Sequence, residues 1–231
     1  MFRTRMGSLL WIVLSAFTGC AGDLPARAIG DSLLDRPVQN EEMAGSLWDV
    51  IPVFGQRYGL PIVAELTHEI PCELRIGKGK ATARQILDGM QKRCPNYGWA
   101  LRGTVVHVYE RSLTRAQRNF LNWKIEEITL PKSVADLELL LRSILTKKRA
   151  GIKEPGGLIV GLYSTELSQH RLPPKRLIDV TARDVLLSAA GIDRGFLTVV
   201  EFPTGSPKTD SDLDAAFLRW RWEALPPKAK E

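Results

Sequence analysis

The sequence predicts an α+β fold made of two small units, the first in the order αββαββ and the second in the order βαββαβ. Two observations lead to this prediction. Amphipathic helical patterns that begin at polar capping residues alternate with short apolar runs, and Gly or Pro separates most of them. Hydrophobic residues make up 44% of the chain and charged residues 25%, which is enough to bury a core.

The first unit is expected at residues 44–111. Its two helices are expected to begin at capping boxes. In such a box a Ser or Thr side chain accepts from the backbone N–H three positions later, and the polar side chain at that position accepts from the backbone N–H of the Ser or Thr. These boxes are Ser46 with Asp49 and Thr82 with Gln85. Two strands between the helices and a hairpin after the second complete the unit. The strands are expected at 61–66, 72–76, 97–101 and 104–109.

The second unit is expected at residues 120–205. Capping boxes at Ser133 with Asp136 and at Thr181 with Asp184 begin its two helices. Strands are expected at 123–130, 158–163, 176–180 and 196–202.

Residues 82–87 and 181–186 read Thr-Ala-Arg-Gln-Ile-Leu and Thr-Ala-Arg-Asp-Val-Leu. The similarity predicts that the two units are a structural repeat. The alternative is that amphipathic helices with similar caps reuse the same residues.

A final helix is expected at residues 211–225, where apolar residues recur at helical spacing. Only one of Trp220 and Trp222 can lie on its apolar face. The other would be exposed, so both are candidate contacts for a partner protein.

Residues 1–19 have the three parts of a secretory signal. Arg3 and Arg5 form a basic start, an uncharged apolar run covers 9–17, and small residues follow. That run is shorter than the roughly 20 residues that a membrane-spanning helix needs. We therefore expect an exported protein, attached to a membrane by lipid if at all.

Residues 17–20, Phe-Thr-Gly-Cys, resemble the lipobox of bacterial lipoproteins, which is cut just before its cysteine. The resemblance implies lipidation of Cys20, although Phe17 stands where Leu is usual. Ala21 is not the Asp that favours retention in the inner membrane, so the outer membrane is the expected destination. Residues 20–43 would form a tether. The alternative is cleavage after Ala28, which would give a free periplasmic protein.

Beyond Cys20, only Cys72 and Cys94 remain, and an even pair in an oxidising compartment predicts a disulfide. The alternative is two buried free thiols. No metal site or cofactor is expected, because no metal-binding spacing accompanies these residues.

No catalytic motif is present. Residues 77–80, Gly-Lys-Gly-Lys, lack the rest of a phosphate loop and predict a turn. His107 lies in an apolar strand and is expected to be a packed or edge residue. The net charge of +6 permits contact with anionic lipid or an acidic partner. Nucleic acid is not expected in an exported protein.

The first unit resembles the short N-terminal (STN-like) domain shared by secretins and TonB-dependent receptors. The resemblance rests on the helix at 46–58 followed by Gly-Leu-Pro-Ile-Val at 59–63, on the capped helix at 81–90, and on the hairpin at 99–109. It covers about 65 residues. It implies a domain that makes periplasmic protein contacts and carries no catalytic residues.

We therefore expect a non-enzymatic envelope module that binds a protein of a secretion or TonB-linked system. The alternative is a periplasmic enzyme or ligand-binding protein with a site between the two units. Exposed sheet edges would favour the first, and a deep polar pocket with convergent ionisable groups would favour the second.

Overall fold

The computed structural model describes residues 33–67, 72–115, 119–150, 171–192, 196–202 and 219–224, and these form an α+β fold as predicted. The predicted signal at 1–19, Cys20, the strand at 158–163 and the first part of the tail helix lie outside the described residues.

The first unit contains both predicted helices and all four predicted strands, together with three further short strands. In chain order its elements are β1 (Pro37–Asn40), β2 (Met43–Ser46), α1 (Leu47–Tyr58), β3 (Ile62–Thr67), β4 (Glu73–Ile76), β5 (Gly79–Thr82), α2 (Ala83–Arg93), β6 (Tyr97–Arg102) and β7 (Val105–Glu110).

The described elements of the second part follow the predicted order, and the strand expected at 158–163 lies outside the described residues. These elements are α3 (Arg111–Arg115), a 3-10 turn (Phe120–Asn122), β8 (Lys124–Thr129), α4 (Val134–Ala150), β9 (Arg176–Thr181), α5 (Ala182–Ile192), β10 (Phe196–Phe202) and β11 (Arg219–Ala224).

The two related segments, 82–87 and 181–186, form the same local structure. Thr82 Oγ1 accepts from the Gln85 N–H at 3.1 Å, and Gln85 Oε1 accepts from the Thr82 N–H at 3.0 Å. Thr181 and Asp184 make the matching pair at 3.2 and 2.9 Å. These boxes satisfy N–H groups that a helix start leaves free.

The capping box predicted at Ser46 is not formed. The Ser46 hydroxyl donates to the Asp49 carboxylate at 2.6 Å and bonds no backbone N–H of α1.

A mixed five-stranded sheet in the order β11-β10-β3-β7-β6 joins the two units. β10 lies parallel to β3, with Leu197 opposite Ile62, and β3 lies parallel to β7, with Ile62 opposite Val106. The sequence assigned β10 to the second unit, but its partner is the central strand of the first. The two units therefore share a sheet.

The two faces of this sheet pack into different cores, because side chains alternate along a strand. On one face, side chains of β3 and β7 pack with α1 and α2. On the other, they join a second core with α5, β8 and α4. The first set is Ile62, Ala64, Leu66, Val106 and Val108, and the second includes Val63 and Val105.

The tether predicted for residues 20–43 is wrong for its described part. β1 pairs antiparallel with β5, and Leu34 is fully buried in the first core. The buried Asn40 amide donates to the Tyr58 hydroxyl at 2.8 Å. Residues 33–43 therefore belong to the folded unit, because their few apolar and amide side chains find partners on α1 and β5.

The helix predicted at 211–225 is wrong for residues 219–224. These form β11, which pairs antiparallel with β10 at the edge of the sheet. Trp220 lies opposite Val200 and Trp222 opposite Thr198. The segment Arg-Trp-Arg-Trp-Glu-Ala also alternates with a period of two, and pairing with β10 favours that pattern over the helical one.

The predicted disulfide between Cys72 and Cys94 is present, with the two Cα atoms 5.8 Å apart. It joins the start of β4 to the end of α2 and therefore ties the second helix to the strands. Within the described segments, no helix is long and apolar enough to cross a membrane.

Candidate functional site

Glu65 is the charged residue at the centre of the shared sheet. It lies in β3, between Ala64 and Leu66, on the face that α5 covers, and its side chain is fully buried. An isolated buried carboxylate would be strongly destabilising, so its charge must be compensated by nearby groups.

Arg183 supplies the main compensation. It follows the Thr181 cap in the first turn of α5, where the helix start directs it toward β3. Its Nη2 donates to Glu65 Oε2 at 2.8 Å, and its Nε donates to Glu65 Oε1. Its Nη1 donates to the Asn122 side-chain oxygen in the 3-10 turn. One guanidinium thus links three segments of the chain.

His107 completes the cluster from β7, the strand beside β3. Its Nε2 lies 2.7 Å from Glu65 Oε1, and only 3% of the residue is exposed. Because a carboxylate accepts hydrogen bonds, we assign the ring hydrogen to Nε2. His107 is therefore packed, as expected, but it is also part of a buried ionic network that the sequence did not predict.

The charge state of Glu65 follows from these contacts. Burial raises the pKa of its carboxyl, but hydrogen bonds from Arg183 and His107 and the charge of Arg183 outweigh that effect. The net result is a pKa below the ordinary value. Glu65 is therefore an anion at neutral pH, neutralised mainly by Arg183.

The other ring nitrogen of His107 has no partner in the described part of the chain. This atom, Nδ1, is buried and makes no hydrogen bond to any described residue. The ring of Tyr109, two residues further along β7, lies 4.9 Å away between centroids. That ring also covers Gly98 on β6, where an added Cβ would lie 2.9 Å from it. Gly98 therefore allows Tyr109 to lie flat against the sheet beside His107.

A cleft of about 280 Å³, here called the basic cleft, opens beside this histidine. It lies between the β6–β7 hairpin, α3 and the start of α5. Among the described residues, its lining contains four arginines and no carboxylate: Arg102, His107, Tyr109, Arg111, Thr114, Arg115 and Arg183.

The arginines of the basic cleft differ in how they are held. Arg183 is bound to Glu65, and Arg111 Nε donates to the carbonyl of Pro95 at 3.0 Å. Arg102 and Arg115 are exposed and have no ion-pair partner within the described ranges. The cleft therefore combines two fixed guanidiniums with two available ones.

A larger cleft of about 720 Å³ adjoins the same cluster. It shares Arg102, His107 and Arg183 with the basic cleft and extends along α5 to Lys175 and Asp184. Lys175 Nζ donates to the Ser188 hydroxyl at 3.1 Å. The larger cleft is lined by both positively and negatively charged residues, so it should attract an anion less strongly than the basic cleft does.

β6 forms one edge of the shared sheet. β7 pairs with it on one side, and no strand of the described chain pairs with it on the other. Its pairing runs without interruption from Tyr97 opposite Glu110 to Arg102 opposite Val105, so it contains no bulge. Trp99 and Leu101 are half-buried and pack at the margin of the first core.

Of the residues singled out in the sequence, His107 lines the basic cleft. Cys20 lies outside the described residues, and Cys72 and Cys94 form the disulfide. Trp220 and Trp222 lie on β11, the other edge strand of the sheet.

Glu65 and Arg183 were not predicted as partners, although the sequence contains a signal for each. Glu65 interrupts an apolar strand, and Arg183 occupies the third position of the repeated Thr-Ala-Arg segment. Its counterpart, Arg84, bonds Asp35 at 2.7 Å near the surface. A charge in a buried strand indicates a buried partner, but the identity of that partner depends on long-range packing.

No group of three or more His, Cys, Asp or Glu side chains within the described segments is placed to hold a metal ion. Comparison of the chain with known protein families, with curated proteins and with solved structures gave no match.

Proposed function

We propose that the protein is an exported, lipid-anchored envelope protein whose folded part binds another envelope protein and catalyses no reaction. The signal at 1–19 and Cys20 support export and anchoring. The Cys72–Cys94 disulfide is consistent with an oxidising compartment. The resemblance of residues 44–111 to STN-like domains supports a partner from a secretion or TonB-linked system.

The observation that carries the binding proposal is the open edge of β6. Exposed edges are usually protected by Pro, Lys or a bulge, because their free N–H and C=O groups can pair with another strand. The β6 sequence, Tyr-Gly-Trp-Ala-Leu-Arg, contains neither Pro nor Lys, and its register is continuous. An extended segment of a partner could therefore add to the sheet here.

The hairpin geometry indicates which groups a partner would meet. A two-residue turn at Gly103 and Thr104 joins β6 to β7, and Gly103 has a φ of 61°. Arg102 and Val105 flank this turn and are a hydrogen-bonded pair in such hairpins. By alternation, the N–H and C=O groups of Trp99 and Leu101 point away from β7 and toward a partner strand.

The anchoring proposal is tested by the intact mass of protein purified from membranes. A chain that begins at an acylated Cys20 supports it. A chain that begins at Ile29 without lipid would contradict it and favour a free periplasmic protein.

The binding proposal is tested by placing a photoreactive amino acid at position 101 in cells. We expect one specific envelope protein to be crosslinked there. The same probe at position 53, an exposed apolar site on α1 with 42% of Val53 accessible, should crosslink little. Equal crosslinking from both positions would contradict recognition through β6.

A backbone variant separates strand pairing from side-chain contact. Leu101→Pro removes an N–H that points outward and should reduce partner binding while the β6–β7 pairing persists. Circular dichroism checks that the fold is kept, and Leu101→Ala, which keeps the N–H, is the control. Partner binding that falls equally in both variants would argue against strand addition.

A second candidate function is ligand binding at a site between the two units. The basic cleft favours this function, because ionisable groups from both units converge on a buried histidine. A ligand should affect the β6–β7 face that contains Arg102 and His107, whereas a partner strand should engage the outer edge of β6.

A further inference from the structure

We propose that the basic cleft binds a phosphate group. This inference rests on the second candidate function above and gives the ligand a chemical class. It does not depend on the strand-addition proposal, because the cleft and the outer edge of β6 present different atoms.

The first argument is charge. Four arginines line the basic cleft, and Glu65 behind them neutralises one through Arg183, which leaves +4 − 1 = +3. No acidic residue is found in the part of the lining that the structure describes. A doubly charged anion would neutralise more of this positive charge than a single carboxylate would.

The second argument is the supply of hydrogen-bond donors. Arg102 and Arg115 approach from the hairpin end and from α3, and both are without a carboxylate partner within the described ranges. Guanidinium groups match the geometry of phosphate oxygens with two parallel N–H groups. Arg111 is fixed by its bond to the carbonyl of Pro95 and adds a preorganised charge.

The third argument separates phosphate from carboxylate and comes from His107. When the ring carries one hydrogen and Nε2 donates it to Glu65, Nδ1 is an acceptor, and that nitrogen is buried without a partner among the described residues. A hydrogen phosphate has a hydroxyl that can donate to Nδ1 and further oxygens that accept from the arginines. An ionised carboxylate accepts only, so it would leave Nδ1 unpaired.

The test is a titration of the purified full chain, labelled with ¹⁵N in histidine, with inorganic phosphate and with succinate at constant ionic strength. We expect saturable phosphate binding, a change in the Nδ1 resonance of His107 and weaker binding of succinate. No saturable binding of phosphate, an unchanged Nδ1 resonance, or succinate binding as tightly as phosphate would overturn the proposal.

Charge variants locate the site. Arg102→Gln and Arg115→Gln remove exposed guanidiniums that make no ion pair, so both should fold, and each should weaken phosphate binding by about tenfold. Arg75→Gln removes the same charge from an exposed position on β4, away from the cleft, and should leave binding unchanged. Equal effects of all three variants would show non-specific charge attraction and would overturn the proposal.

Glycerol 3-phosphate distinguishes the two sources of a phosphate group. Its dianion has no phosphate hydroxyl to donate to Nδ1, so binding weaker than that of inorganic phosphate is expected and assigns the site to free phosphate. Tighter binding would assign the site to an esterified phosphate and would overturn the role given to Nδ1. Loss of phosphate binding in Arg102→Gln with crosslinking from position 101 retained would show that the two proposals are independent.

Discussion

Replacing Arg183 with methionine keeps much of the side-chain volume and removes the guanidinium that neutralises Glu65. The carboxylate would remain fully buried, with His107 as its other partner in the cluster. Removal of one member of a buried ion pair lowers the free energy of unfolding by about 3–5 kcal/mol. We expect the lower end, about 3 kcal/mol, because His107 still donates to Glu65 and 14% of the Arg183 side chain is exposed.

A matched surface pair provides the control. Arg176 binds Glu127 with the same two-point geometry, at 2.7 and 2.8 Å, but the two side chains are 63% and 52% exposed. Arg176→Met should therefore lower the free energy of unfolding by less than about 1 kcal/mol. Urea unfolding followed by tryptophan fluorescence measures both variants.

The pH dependence has a defined sign. In the wild type, the pKa of Glu65 in the folded state is lower than in the unfolded state, where it is about 4.3. Its contribution to the free energy of unfolding is therefore present above the unfolded-state pKa and is lost as the pH falls through the folded-state pKa. Without Arg183, burial should raise that pKa instead. The variant would then bind a proton on folding, so its deficit in the free energy of unfolding relative to wild type should shrink as the pH falls from 8 to 4.5.

Two results would refute this reasoning. A loss below about 1 kcal/mol at pH 8, no larger than that of Arg176→Met, would mean that the buried pair is solvated or replaceable. A deficit that does not vary with pH would mean that the effect comes from lost packing and not from the charge of Glu65.

The remaining predictions concern the first unit. The double variant Cys72→Ser/Cys94→Ser should lose about 3 kcal/mol in denaturant unfolding, and a reductant should destabilise the wild type but not this variant. Gly98→Ala should lower the melting temperature, since its Cβ would lie 2.9 Å from the Tyr109 ring and the ring would have to move; an unchanged value would show that the ring moves freely. Tyr58→Phe should lower the free energy of unfolding by about 1 kcal/mol, because the Tyr58 hydroxyl bonds the buried Asn40 amide of β1. An unchanged free energy of unfolding would argue against packing of β1 on α1.

Local signals predicted most of the helices and strands. Helices α2 and α5 begin directly after the threonines that were expected to cap them, because a capping box is made entirely by neighbouring residues. The hairpin of β6 and β7 was also predicted, since Gly103 marks its turn. These elements need no information from distant parts of the chain.

Apart from the capping box at Ser46, the errors occurred where distant residues decide the structure. Residues 219–224 satisfy both a helical and an alternating pattern, and pairing with β10 selects the strand. The pairing of β10 with β3 has no local signature, so the shared sheet was not predicted. The basic cleft depends on that packing, because α5 brings Arg183 against β3 from 118 positions along the chain.

The position of β3 between β10 and β7 has a consequence for how the chain folds. β7 is near β3 in sequence, whereas Leu197 follows its partner Ile62 by 197 − 62 = 135 residues. Contacts between such distant residues form late, because the loop between them must first be closed. Pulse-labelled hydrogen exchange during refolding should therefore find β7 amides protected before those of β10. Until β10 arrives, the newly made chain has an open edge at β3, a largely buried strand. During this interval aggregation competes with folding most directly.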